Sequence, residues 1–180
     1  VNIFYLDEDP IKCARAHYDK HVVKMILEYA QILSTTHRVL DGQAYYELSK
    51  ANRKILRYSL QDFILESNIY KAAYINHPCN IWCRKNTENY QWLFNLWIAV
   101  MEEYTFRYDK HHASERLIPL LKNFPKNLIK DSFINPPSCV EDYCKVGNTI
   151  EDYRNCYRYQ KIDLYSYKKR LPPDWINMAR

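Results

Sequence analysis

Between Val22 and Leu33 apolar residues occupy nearly every side of a helix: Val22, Val23, Met25, Ile26, Leu27, Ala30, Ile32 and Leu33. One narrow polar line survives, at His17, His21, Lys24, Glu28, Gln31, Thr35 and Arg38. Its steps of 4, 3, 4, 3, 4 and 3 residues keep all seven on one side of a 3.6-residue helix. An ordinary surface helix has the reverse proportions, one apolar stripe and a broad polar face. The pattern predicts one long, nearly buried helix from Asp9 to about Leu40, with a break allowed near Tyr18. Asp9 supplies an N-cap, Pro10 sits at the first helical position, and Gly42 lies just past the end. The seam is either the wet edge of a core helix, with Lys24–Glu28 an ordinary ion pair, or one wall of a cleft. Two histidines, a lysine and a glutamate within three turns make the cleft worth testing.

The remaining pattern is also helical. Residues 2–6 form a short extended run that brings the amino terminus close to the first helix. Residues 43–72 read as one or two helices, with Lys54 and Arg57 sharing a face. Pro78 starts a helix capped by His77. Residues 87–108 form a second long helix, with Tyr90, Leu93, Phe94, Trp97, Val100, Met101 and Tyr104 in a 3.6-residue pattern. A short helix over Leu117–Phe124 follows a loop that carries His111 and His112. Pro125 and the Pro136-Pro137 pair predict a long irregular loop over 125–147. Thr149 and Asp152 resemble a capping box that opens a last helix. From Tyr153 to Trp175 six aromatic rings are interleaved with six cations against Asp163 and Asp174. That tail either stacks bases and holds phosphates or packs its rings on the body.

Composition narrows the classes. The chain has 180 residues, room for one domain with a real core, and 47% of them are apolar, which argues against disorder. Only two glycines are present, Gly42 and Gly147, so glycine-rich phosphate loops are excluded and tight two-residue hairpins disfavoured. A net charge of +5 is compatible with nucleic acid. None of the six cysteines forms a C-x-x-C pair, and no apolar run approaches the length of a membrane span. The expectation is a reduced cytoplasmic protein with free thiols.

Three chemistries deserve weighing. A metal could use His17 and His21, but Glu28 lies about 10 Å of helix rise beyond His21; further ligands would have to come from His77, His111 or His112. No metal set is assigned and no cofactor expected. Cysteine nucleophilic chemistry has no local signature here. Amine chemistry is better founded: a terminal α-amine has a reference pKa of about 7.7–8.0 against about 10.4 for lysine, so far more of it is unprotonated near neutrality. A nearby carboxylate such as Glu28 can shuttle its protons.

The run Asp19-Lys20-His21 followed by Glu28, set on an early helix behind a short amino-terminal segment, resembles the phage pyrimidine-dimer DNA glycosylase/AP lyase (endonuclease V type) family. His77 at a turn, the long aromatic helix ending at Tyr108-Asp109 and the Tyr/Lys-rich tail are similar in placement. The resemblance implies a compact all-α fold and attack by the Val1 amine on C1′ of a damaged nucleotide. It implies Glu28 as the catalytic carboxylate, with His21 beside the site. Where that family carries arginines around the glutamate, this chain has Leu27 and Gln31, and Asn2 and Ile3 stand where it has one after the terminus.

The expectation is therefore an all-α, single-domain protein over residues 1–180 that removes damaged or modified pyrimidines through an imine. Val1 and Glu28 are its catalytic residues. Its DNA contacts are His21, Lys24, Arg38, Lys54, Arg57, Tyr157, Arg158, Tyr165, Lys168, Lys169 and Trp175. Its partner is double-stranded DNA with a lesion or modified base, and it is a cytoplasmic monomer without a membrane contact, in the host cytoplasm if viral. The alternatives are a non-enzymatic helical accessory protein that binds nucleic acid or protein, and a His/Glu metal enzyme.

Overall fold

The computed structural model describes residues 1–177. In chain order the elements are α1 (Pro10–Ala16), α2 (Asp19–Asp41), β1 (Gln43–Leu48), β2 (Lys54–Ser59), α3 (Phe63–Asn68), α4 (Pro78–Cys83), α5 (Thr87–Tyr108), α6 (Ile118–Leu121) and α7 (Thr149–Asn155). Short 3₁₀ and π turns fill part of the second half.

The long amino-terminal helix divides at His17 and Tyr18. Asp9 caps α1 by accepting from the Ile11 and Lys12 amides, and His17 then leaves the helical region at ψ 136°. The break is stabilised from elsewhere in the chain. Tyr18 is buried, stacks on Tyr157 at 4.2 Å and donates its hydroxyl to the Tyr157 carbonyl. Both α1 and α2 pack on α5. Between them lies the core, with Ile26, Leu33, Leu93, Leu96, Trp97 and Val100 fully buried. Trp97 donates its indole N–H to the Ile26 carbonyl, so the two long helices are joined by a hydrogen bond as well as by packing.

The fold is largely helical but not all-α. Residues 43–59, expected as helix, form an antiparallel hairpin with Gln43 opposite Ser59 and Leu48 opposite Lys54. The scarcity of glycine argues only against two-residue turns. This hairpin uses a five-residue loop in which Asn52 takes the left-handed conformation at φ 56° and donates its amide to the Ser49 carbonyl. On a strand, residues three apart face opposite ways, so Lys54 and Arg57 do not share a face. Gly42, at φ −95°, is not a left-handed cap. It is glycine because an added Cβ would lie 2.4 Å from the Arg38 carbonyl oxygen and 2.9 Å from that of Ser59.

The other elements follow their local chemistry. His77 caps α4 through Nδ1, and α5 spans the range its periodicity predicts. The cap of α7 is Asn148, one residue before Thr149; it accepts from the Glu151 amide. No helix among the described residues is long and apolar enough to cross a membrane.

Candidate active site

Residues 1–6 carry no regular structure, yet Ile3, Phe4, Tyr5 and Leu6 are buried. Their polar backbone is held by partners from distant parts of the chain. The Tyr29 hydroxyl accepts from the Phe4 amide, Arg154 Nε donates to the Leu6 carbonyl, and Asn2 donates its side-chain amide to the Cys139 carbonyl. An irregular segment can be buried only if such bonds are supplied, and they hold its end in one place. That place is beside Glu28: the Val1 α-amine donates to Glu28 Oε2. Lys24, one turn earlier on α2, reaches the other carboxylate oxygen at 3.5 Å. Val1 and Glu28 are 24% and 20% exposed, wet enough for a substrate to reach and dry enough for charge to matter.

The seam on α2 is wet only in its middle. His17 and His21 are buried and serve the fold. His17 Nε2 meets the Tyr29 hydroxyl at 2.8 Å and Nδ1 the Cys13 carbonyl at 2.7 Å. His21 Nδ1 meets the Tyr157 hydroxyl at 2.5 Å, and its ring stacks on Phe4 at 4.2 Å. Burial lowers His17 to about 4 and His21 to about 3, the latter helped by His17, Lys161 and Lys24. Near neutrality His21 is therefore an uncharged floor under the amino-terminal segment, not a cation for phosphate. With both rings enclosed, the His17/His21/Glu28 metal set is not assembled.

The expected DNA contacts divide in the same way. Arg38 is buried at the other end of α2, where its guanidinium donates to Glu66 and to the carbonyls of Tyr58, Tyr70 and Ile69. Arg57 is spent on Glu47 and the Ala72 carbonyl, while Lys54 is exposed over Tyr46. The tail folds onto the body. Tyr157 is buried, and Arg158 lies over Trp175 with bonds to Asn155 and the Trp175 carbonyl. Lys169 pairs with Asp109, and Lys168 lies over Tyr108. Tyr165 is exposed but makes an edge contact with Tyr18. Asp19, from the Asp-x-His run, clamps this tail: it accepts from the Ser166 hydroxyl, the Lys168 amide and Arg107. Burial pushes its carboxyl up, but those hydrogen bonds win and hold it below the usual range.

Two features of the site have no signal in the sequence because they come from distant segments. A cavity of about 340 Å³ opens at Asn2, lined also by Cys139, Glu141, Asp142, Cys156, Gln160 and Lys161. His77, Cys79 and Cys139 have donor atoms within 4.8 Å of one another, and Asn2, next to the amine, holds the Cys139 carbonyl. The charge of the Val1 amine acts on all three. The contact with Cys79, opposed by burial, pulls the Cys139 thiol down.

No protein-family profile, curated protein or solved structure matches the chain.

Proposed function

We propose that the chain is a DNA glycosylase with AP lyase activity that acts on damaged or modified pyrimidines through an imine to the Val1 α-amine. The observation that carries this reading is the Val1–Glu28 pair: a primary amine beside a carboxylate, both partly exposed. In the mechanism, Glu28 takes a proton from the ammonium. The freed nitrogen bonds to C1′ of an extruded nucleotide as the C1′–base bond breaks; its electron pair leaves on the base, which takes up a proton. Opening of the sugar ring gives the imine. Loss of a C2′ proton then breaks the C3′–O bond and expels the 3′ phosphate, and water releases the product. Lys24 and Lys161, which both act on buried His21, supply positive charge near the site for the DNA backbone. The polar cavity at Asn2, with Gln160, can receive the extruded base and read its edge.

The test is borohydride trapping on a duplex with a thymine dimer and on one with an abasic site, after the mass of the amino-terminal peptide confirms a free amine on residue 1. A covalent adduct on the Val1 peptide is the expected result, and the comparison of duplexes separates glycosylase from simple lyase. Absence of adduct on both overturns the reading. One observation favours a non-enzymatic binding protein: Tyr46, Leu48, Phe63 and Ile64 are all more than 60% exposed on the hairpin and α3. Turnover of either duplex separates the two.

A further inference from the structure

The cluster of His77, Cys79 and Cys139 is not used by the amine mechanism, and its parts come from two places. His77 and Cys79 flank Pro78 at the start of α4, and Cys139 comes from the irregular segment some sixty residues on. Cys79 is buried, while His77 and Cys139 are half-buried, so the group is reachable from solvent on one side. Bond lengths of about 2.3 Å to sulfur and 2.0–2.1 Å to nitrogen, at tetrahedral angles, put donors about 3.5–3.8 Å apart. The three donor atoms lie within 4.8 Å of one another, so small side-chain rotations close the set. Cys79 is buried in the first turn of α4, where its amide donates to the capping His77. Cys139 is held by the Asn2 side chain at its carbonyl and by the Tyr153 hydroxyl at its amide. The backbone positions of both sulfur ligands are thus set before any ion arrives.

We propose that His77, Cys79 and Cys139 form a three-ligand site for one zinc-class divalent cation, with the fourth position open. Two thiolates and an imidazole are a soft set that selects zinc over magnesium or calcium, and three protein ligands leave room for water or a further donor. One existing bond must be exchanged. His77 Nδ1 accepts from the Cys79 amide at 3.1 Å, and a bound neutral imidazole keeps its proton on the nitrogen opposite the metal. Ligation through either ring nitrogen therefore removes that acceptor. The site ties the start of α4 and the amino-terminal segment to the irregular segment around Cys139, without using the seam on α2.

Cobalt(II) tests the proposal on the full chain, reduced and freed of metal by a chelator. The expected result is one cobalt per chain with a sulfur-to-cobalt charge-transfer band in the near ultraviolet, removed by one equivalent of zinc. Cys139→Ser, at a half-buried position, should abolish that band while leaving the circular dichroism unchanged. His77→Asn keeps an N-cap acceptor but removes the imidazole. It should weaken binding by more than the roughly 10–100-fold that loss of an outer-shell partner costs. No charge-transfer band, a band that survives Cys139→Ser, binding indifferent to His77→Asn, or a Cys79–Cys139 disulfide formed in place of metal binding would each overturn the site. None of these readouts depends on DNA or on the amine chemistry.

Discussion

The α-amine of Val1 and the carboxylate of Glu28, 27 residues apart, form an ion pair at a partly exposed point on α2. Burial of residues 3–6 and the bond from the Asn2 side chain to the Cys139 carbonyl hold residue 1 against the helix. If Glu28 manages protons for the amine, Glu28→Gln keeps the size and a hydrogen-bonding group but loses the base. Adduct formation and strand cleavage should fall by about 10²–10⁴-fold, with the melting temperature within a few degrees of the parent. Rates equal to the parent would remove Glu28 from the mechanism.

Blocking the amine should separate binding from chemistry. Acetylation of residue 1 removes the nucleophile and leaves Lys24 and Lys161 untouched. The modified protein should retain duplex affinity in a mobility-shift titration while trapping falls to background. Adduct that persists would place the nucleophile on a lysine.

Charge at the site and charge in the fold should respond differently. Lys24→Ala and Lys161→Ala should each weaken duplex binding and lower the slope of log affinity against log salt by about 1, with stability unchanged. Arg38→Ala should instead remove the cation from the Glu66 carboxylate and the donor from four carbonyls, and cost about 3–5 kcal/mol in a urea titration. An Arg38 variant that is stable and defective only in DNA binding would restore the expectation that it grips phosphate.

Arg107 offers a parallel case. It is fully buried between Asp19 and Glu103, and Arg170 closes the group from the tail with two bonds to Glu103. Arg107→Met removes the cation paired with Asp19 and one of the two paired with Glu103 and should destabilise by about 3–5 kcal/mol. Detachment of the tail should follow, seen as faster amide exchange at Ser166 and Lys168.

Three buried histidines set the acid limit. His17, His21 and His37 are lowered by burial to about 4, 3 and 4 against an ordinary 6.5. Between those values the unfolded chain binds protons that the folded chain refuses. Their contribution is complete above about pH 6.5 and is lost as pH falls toward 4 for His17 and His37 and toward 3 for His21, at roughly 1.4 kcal/mol per unit per histidine. Denaturation midpoints should drop steeply between pH 6.5 and 4.5. The triple replacement of these histidines by glutamine, if folded, should flatten that fall.

Periodicity and caps carried much of the helical framework. Asp9-Pro10, His77-Pro78 and the apolar spacing over residues 87–108 are local signals, and they mark α1, α4 and α5. The hairpin leaves no mark in the glycine content, because its turn rests on the ability of Asn52 to take a positive φ. The polar line on α2 was real as spacing, but spacing does not say which neighbours arrive. His17 and His21 were met by the hydroxyls of Tyr29 and Tyr157 and were drawn into the core. The interleaved tail carried two opposite meanings, and Arg158, Lys169 and Arg170 are engaged within the fold.

By itself, the sequence determined a largely helical chain, the capped starts of α1 and α4 and the identity of the groups that could react. These depend on residues a few positions apart. Only the tertiary structure decided which distant groups meet: Arg38 with Glu66, Asp19 with Arg107, and Cys139 with His77 and Cys79. The reason is physical. A helix face is fixed by a repeat of 3.6 residues, whereas contact between distant segments depends on how the buried surfaces of the whole chain pack together.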